Sequence, residues 1–281
     1  MSVINTNVSA LYSQNAMKTN TRAMNTAMEQ LSTGTRVNSA KDDAAGLAIG
    51  QSMTSQIRGL NQAVRNANDG INMLQTAEGA LVEQSNMLQR MRELAVQASN
   101  GTYSSAQRGY LDTEFSALID QIDSIASTTT WNGQYVLTGS GGNGPATTTR
   151  SGTYEFQTGQ NSGQTISITI SGMASSALSL SSLSVSTASG ASNALTTIDD
   201  ALDTINTTRA NLGATINRLA YAADNMTNIA ANVTQSRSTI MDTDYAQATT
   251  QLAKTQILQQ ASTAMLAQAN QQAQGIMTLL K

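Results

Sequence analysis

One repeating pattern of apolar residues constrains the fold of this chain of 281 residues more than any other feature. Counted in sevens, every position of the pattern is apolar: Ile198, Ile205, Leu212, Leu219, Met226, Val233 and Ile240. A heptad pattern held this long is typical of one long helix with a narrow apolar stripe. From Leu195 to Ile240 such a helix would extend on the order of 65–70 Å. Because a stripe this narrow does not stabilise a lone helix, the helix needs a partner of similar length.

A second apolar stripe lies in the first half of the chain and supplies that partner. It also keeps strict register in sevens, at Leu60, Ala67, Leu74, Leu81, Leu88 and Ala95. Since the two stripes are separated by a long central segment, we expect them to bury each other and the middle of the chain to loop out. The predicted fold class is therefore mainly α, with a long antiparallel helical bundle or coiled coil formed by the N- and C-terminal regions and a small β-rich insert in the middle.

The pattern predicts three parts. Residues 1–43 and 241–281 form a terminal helical inner-core domain, residues 44–131 and 193–240 form a helical bundle domain, and residues 132–192 form a short, variable β-rich outer insert. The insert begins with an Asn-Gly pair, a strong hairpin signal, and its polar and apolar residues alternate as in strands. We expect those strands at 153–158, 164–170 and 177–186, and we expect Gly139 to Pro145 to form a flexible loop.

Both ends of the chain carry helical apolar stripes too weak to fold unaided. Residues 245–281 contain only two charged side chains, Lys254 and Lys281, and their stripe includes glutamines. Such ends need other helices to cover them, and identical copies can supply these, since a head-to-tail contact that closes no ring gives a helical filament. The residues predicted to pack between subunits are the apolar members of the two stripes: Ile4, Val8, Leu11, Leu258, Met265, Ile276 and Leu279.

The composition argues against several other classes of function. The chain has no His and no Cys, which removes the commonest general base, the best nucleophile and the usual zinc ligands. We find no nucleotide-binding or hydrolase motif, and we expect no catalytic residue, metal or cofactor. Acidic residues cluster at Asp42/Asp43, at Asp199/Asp200 with Asp203, and at Asp242/Asp244. Such clusters could bind a cation, but we expect them to be charges at helix starts instead. A net charge of −3 excludes the basic stripe that nucleic-acid binding needs, and no long apolar run or signal peptide is seen, so no membrane partner is expected.

Four segments resemble the bacterial flagellin family, and the resemblance covers about residues 1–140 and 190–281. They are 4–11 (INTNVSAL), 31–49 (LSTGTRVNSAKDDAAGLAI), 89–96 (QRMRELAV) and 261–271 (ASTAMLAQANQ). The segment 141–190 is shorter than in the larger flagellins and matches no domain that we can name, so the resemblance implies minimal outer domains.

The resemblance implies a structural subunit of the flagellar filament used for swimming. It implies a secreted, extracellular protein that leaves the cell unfolded through a type III export apparatus. Its implied partners are other copies of itself, an export chaperone on the C-terminal helix, and the filament cap and hook-associated proteins. In flagellins that a Toll-like innate receptor senses, the contact maps to Arg90, Leu94 and Glu114 of this sequence. The alternative is that Arg90 and Glu93 are only inter-subunit or solvated charges.

Two other functions stay open at this point. A hook–filament junction protein would share the architecture but would add a few subunits rather than thousands, so copy number separates the two. A receptor signalling hairpin would require a membrane anchor, which the sequence does not show.

Overall fold

The computed structural model describes residues 6–138 and 152–279, with side chains described as far as residue 272. In chain order the elements are α1 (Val8–Thr33), α2 (Ala44–Ser99), α3 (Ser105–Thr128), β1 (Thr130–Trp131), β2 (Gln134–Tyr135), β3 (Gly152–Gln157), β4 (Thr165–Ile170), α4 (Ala188–Met241) and α5 (Tyr245–Leu279). They divide into two compact units, and we call residues 1–57 with 231–281 the terminal unit and residues 58–230 the bundle unit. The mainly helical fold class predicted from the sequence is confirmed.

Local capping explains where the shorter helices begin and end. Ser104 and Gln107 form a capping box at the start of α3, each side chain bonding the other's backbone N–H. Asn7 caps α1 by accepting from the Ala10 N–H, and Gly34 ends that helix in the left-handed region at a φ of 72°. Each of these residues satisfies backbone groups that a helix end leaves unpaired.

The two predicted heptad stripes form the core of the bundle unit. The members of the α2 stripe from Leu60 to Ala95 are all buried, and so are the members of the α4 stripe from Ile198 to Met226. Arg92 pairs with Asp199 at 2.7 Å, and Glu78 lies 3.8 Å from Arg209. The residue number on α4 rises from 199 to 209 while the residue number on α2 falls from 92 to 78. The two helices are therefore antiparallel, as predicted.

The third helix of the bundle unit, α3, returns antiparallel to α2. The Arg108 guanidinium donates to the Ala98 carbonyl at 2.7 Å, and the buried Gln84 amide donates to the Ile122 carbonyl at 3.3 Å. The buried face of α3 comprises Phe115, Ile119, Ile122 and Ala126. The spacing of these residues places them on one helical stripe toward the core.

Two hairpins follow α3, where the sequence predicts a β-rich insert. The Asn132-Gly133 turn joins β1 to β2 with positive φ at both residues (49° and 77°), as a type I′ turn requires. In the second hairpin β3 and β4 pair in antiparallel register, with Tyr154 opposite Ile168 and both side chains buried. The strands predicted at 153–158 and 164–170 are confirmed to within one residue, and the loop predicted at 139–145 lies outside the described residues.

The strand predicted at 177–186 is wrong, because the backbone of this segment bonds to α3 and to itself rather than to a strand. Asp123 accepts from the Ser175 N–H at 2.7 Å, and Asp112 accepts from the Val185 N–H at 2.6 Å. Between these two anchors the Leu180 N–H donates to the Ser175 carbonyl, closing a turn. The alternating apolar residues of the segment are buried by this path along the core: Leu178, Leu180 and Val185.

The boundaries of the two compact units fall inside the long helices. The terminal unit includes the first turns of α2 as far as Ile57 and the last turns of α4 from Ala231. The sequence-based division places its boundaries at residues 43/44 and 240/241 instead. It follows changes in side-chain composition, which need not coincide with the limits of a compact unit, and it stays a prediction.

Candidate functional site

The terminal unit contains the helices that the sequence marks for assembly, and within the chain they pair with each other. The Asn7 amide donates to the Ala269 carbonyl at 3.0 Å, and the Asn20 amide donates to the Thr255 carbonyl at 2.7 Å. The residue number on α1 rises from 7 to 20 while the residue number on α5 falls from 269 to 255, so α1 and α5 are antiparallel. The two helices therefore cover one face of each other.

The covered face of α5 is a different face from the one that carries the predicted inter-subunit stripe. It is a 4–3 stripe of buried and half-buried residues: Ala248, Leu252, Thr255, Gln259, Ser262, Leu266 and Ala269. Sequence reasoning missed this stripe because only two of its members are large and apolar. The signal that could have identified it is the spacing of fourteen residues between Leu252 and Leu266, with the small residues Thr255 and Ser262 at the companion positions three residues after a heptad position.

The residues predicted to pack between subunits lie on the opposite, outer faces. The exposed fractions are 48% for Val8, 50% for Leu11, 44% for Leu258 and 62% for Met265. Ile4 and the side chains of Ile276 and Leu279 lie outside the described residues. The structure therefore leaves these four described apolar residues available to another molecule, and three further large residues accompany them: Tyr12, Met28 and Ile257.

A short backbone clasp holds the chain beside this helix pair. Thr35 and Asp242 form an antiparallel bridge, and the Thr243 N–H donates to the Gly34 carbonyl at 3.0 Å. The Arg36 guanidinium donates to the Ile240 carbonyl at 2.6 Å, at the C-terminal end of α4. A cation at this position complements the partial negative charge of the helix end. Arg36, in the segment that resembles flagellin, is a positioning residue that spacing alone did not single out.

Three of the acidic residues, Asp42, Asp43 and Asp244, serve as caps or turn anchors. The helix start expected at Asp199, Asp200 and Asp203 is wrong, because these residues lie inside α4, where Asp199 pairs with Arg92. Asp43 accepts from the Gly46 N–H at 2.8 Å at the start of α2, and Asp244 accepts from the Ala246 N–H at 2.9 Å at the start of α5. Asp42 accepts from the backbone N–H and hydroxyl of Ser39 at 3.0 and 2.9 Å. These bonds to the Ser39 hydroxyl and N–H hold the pKa of Asp42 below its ordinary value of 3.8.

The turn around Asp42 should therefore lose stability in acid. A carboxyl whose pKa is lowered by folding stabilises the folded state above the ordinary pKa, and this contribution is lost as the pH falls below 3.8 through the folded value. In an NMR titration, the Ser39 amide signal should move with a midpoint below 3.8, and Asp42→Asn should abolish that movement. A midpoint at or above 3.8 would show that the Ser39 bonds do not favour the ionised form.

The candidate receptor residues of the bundle unit do not share one surface. Arg90 forms ion pairs with Glu93 and Glu114, each at 2.9 Å; Arg90 and Glu114 are about half exposed and Glu93 is 68% exposed. The hydrogen bonds that Arg90 donates to Glu114 and to Glu93 raise its pKa. Leu94 is only 1% exposed and belongs to the core, so in this structure it supports α2 from within.

Within residues 6–138 and 152–279 no cluster of three or more acidic side chains is arranged to hold a metal ion. No helix in this part of the chain combines the length and apolar character needed to cross a membrane. What the terminal unit presents on its surface is a set of exposed apolar side chains on α1 and α5.

Comparison with known proteins gives two family matches that together span most of the chain. Residues 4–141 match the model of the bacterial flagellin N-terminal helical region, and residues 195–280 match the model of the C-terminal helical region. The segment between the two matches contains both strands of the second hairpin. The matched regions include α1, α5 and the clasp.

Individual relatives match along nearly the whole length. The chain is 41% identical to the "Flagellar filament 31.3 kDa core protein" of Treponema maltophilum, over 99% of this chain and 100% of the relative. It is 41% identical to a flagellin of Halalkalibacterium halodurans at the same coverage. A solved structure described as a putative flagellar hook-associated protein from Vibrio parahaemolyticus covers 71% of this chain and 99% of its own, with a TM-score of 0.59. At 15% identity that likeness shows a shared fold alone.

Proposed function

This chain belongs to the bacterial flagellin family, and from that premise we propose that it polymerises through the outer faces of α1 and α5. It is a structural subunit of the helical flagellar filament used for swimming. The outer faces of α1 and α5 would form the contacts between neighbouring subunits of that filament. The role of the protein would be structural rather than enzymatic.

The observation that carries the proposal is the exposure of the apolar face of α5. Leu258 is 44% exposed and Met265 is 62% exposed, although α5 already packs against α1 through its other face. Exposed apolar side chains recurring along one helix face are typical of a protein interaction surface. A copy of the same chain that covers this face repeats the contact, and a repeated head-to-tail contact produces a helical polymer.

The same exposed face of α5 supports a second partner before assembly. We propose that an export chaperone covers the C-terminal helix until the subunit is secreted through the type III apparatus. In the finished flagellum the filament cap and hook-associated proteins would meet the same helical ends. The protein would then be extracellular, as part of the filament.

The hook–filament junction alternative has less support. The likeness to the Vibrio parahaemolyticus structure shows a shared fold alone, whereas the two relatives at 41% identity are named a flagellar filament core protein and a flagellin. A count of subunits per filament tests the choice, with thousands expected and a few contradicting the filament role.

An innate receptor of the Toll-like class is a further proposed partner. Arg90 and Glu114 are half exposed and joined by an ion pair, so they present one charged surface on α2 and α3. Leu94 contributes by packing beneath this surface. The alternative is that Arg90, Glu93 and Glu114 form only a solvated or inter-subunit charge network.

Removing residues 246–281 tests the proposed assembly role. We expect a folded monomer that does not polymerise, because the deletion removes the outer face of α5 but none of the residues in the core of the bundle unit. The measurement is sedimentation after seeding, with negative-stain imaging of the pellet and circular dichroism of the monomer. The intact chain treated in parallel is the control, and filaments of normal width from the truncated chain would contradict the proposal.

A further inference from the structure

A buried side-chain amide lies in the middle of the contact between α1 and α5. Asn20 is 9% exposed, and Thr255 on the facing helix is 1% exposed. The Asn20 amide nitrogen donates to the Thr255 carbonyl at 2.7 Å and to the Gln259 Oε1 at 3.3 Å. The Thr21 hydroxyl lies 3.4 Å from the same Gln259 oxygen, but it donates its hydrogen to the Met17 carbonyl at 2.9 Å. The two hydrogens of the Asn20 amide thus have one backbone acceptor and one side-chain acceptor on α5.

The apolar part of this contact does not select a register by itself. On α5, Leu252 and Leu266 lie seven residues before and seven residues after Gln259. On α1, Met17 and Met24 lie on either side of Asn20, and methionine adapts to irregular spaces. Because α5 has leucine seven residues to either side of Gln259 and α1 has methionine on either side of Asn20, a shift by one heptad still allows apolar side chains to face one another.

The polar part of the contact does distinguish the registers. In either register shifted by one heptad, the position of Gln259 is taken by Leu252 or by Leu266, and neither side chain can accept a hydrogen bond. The second N–H of the Asn20 amide would then lose its side-chain acceptor, whereas Thr21 would keep its bond to the Met17 carbonyl. Leaving a buried donor unsatisfied is unfavourable, and a single buried Asn can set the alignment of paired helices.

We propose that Asn20, acting with Gln259, determines the register in which α1 and α5 pair. A shift by one heptad moves the outer side chains of α5 by on the order of 10 Å along α1. The register therefore determines the positions of Val8 and Leu11, along the axis of the helix pair, relative to Leu258 and Met265. This consequence for assembly rests on the proposed function, whereas the register itself does not.

Engineered disulfides can measure the register directly, because the chain contains no cysteine. Ser13 lies seven residues before Asn20 and the half-buried Ser262 lies seven residues after Thr255, so the pair Ser13→Cys/Ser262→Cys reports the observed register. The pair Ser13→Cys/Ala269→Cys reports a shift by one heptad. Non-reducing electrophoresis separates disulfides within one chain from those between chains, and both monomer and pelleted polymer are measured.

In the otherwise natural chain, the Ser262 pair should form its disulfide in clear preference to the Ala269 pair. Asn20→Leu and Gln259→Leu should each lower the ratio of the first disulfide to the second by about tenfold, since each removes the polar selection. A shift that brings Ala269 opposite Ser13 lowers this ratio, and a shift in the other direction, which brings Thr255 opposite Ser13, lowers the yield of the Ser262 disulfide. Leucine favours helix, and circular dichroism verifies that each variant keeps its helical content.

Asn25→Leu is the matched control, because Asn25 lies on α1 with an exposed side chain, and its ratio should equal that of the natural chain. An unchanged ratio in both Asn20→Leu and Gln259→Leu would overturn the proposal. The result is independent of the assembly assay, since the disulfide is formed within one chain. A failure of the proposed function would appear instead as polymerisation that does not need the outer face of α5.

Discussion

Replacing Leu258 or Met265 by aspartate should abolish filament assembly while leaving the monomer's helical content nearly unchanged. Both side chains are exposed in the subunit, at 44% and 62%, so a carboxylate there is solvated before assembly. If the outer face of α5 is covered by a neighbouring copy, the same carboxylate must be desolvated without a partner in every subunit. The effective penalty for burying an unpaired charge is several kcal/mol, and the polymer repeats it at each contact.

The measurement is the pelleted fraction after seeding, together with circular dichroism of the monomer before it. Leu258→Met and Met265→Leu are the matched controls, since they change shape and keep the face apolar, and they should still polymerise. Assembly of Leu258→Asp and Met265→Asp at the level of the natural chain would show that this face stays in water in the filament. The faces of α1 would then be the remaining candidate surface.

Replacing Phe115 by alanine should produce the largest loss of stability in the bundle unit. Phe115 is 0% exposed and is the largest of the fully buried side chains of the described chain. Its removal from a close-packed core costs about 3–5 kcal/mol, through lost burial and the cavity left behind. For a unit of this size the corresponding decrease in melting temperature is on the order of 10 °C.

Tyr110→Ala on the same helix is the control, because Tyr110 is an aromatic residue that is 77% exposed. We expect this change to alter the free energy of unfolding by no more than about 0.5 kcal/mol. Thermal unfolding followed by circular dichroism gives both values. Equal effects of the two substitutions would mean that the packing around Phe115 contributes little to the stability of the bundle unit.

The long helices of the bundle unit could be predicted because burial along them is periodic. Each member of the α2 stripe between Leu60 and Ala95 is buried, and the α4 stripe from Ile198 to Met226 is buried opposite it. Apolar residues at every seventh position leave one face of a helix to cover, and two such faces in one chain cover each other. The Asn132-Gly133 turn was predictable for a local reason, since its positive φ angles suit those two residues.

Other parts could not be predicted because their partners are distant in the sequence. The segment 177–186 alternates polar and apolar residues as a strand does, but Asp112 on α3 accepts from its Val185 N–H, and Asp123 accepts from the N–H of Ser175 just before it. Alternation alone does not show which groups will satisfy a backbone. In the same way, Leu94 stands next to exposed charges in the sequence, but its direction from α2 places it in the core.

The sequence by itself determined the helical class, the pairing of two long stripes and the family to which the chain belongs. These follow from periodic burial and from long matching segments, which need no knowledge of contacts. Only the tertiary structure decided which face of α5 turns inward, since this helix carries two weak stripes and composition does not rank them. The face with Thr255 and Gln259 meets Asn20 on α1, and the face with Leu258 and Met265 is left exposed. That choice is made by hydrogen bonds between residues more than two hundred positions apart, and a pattern within one helix cannot show them.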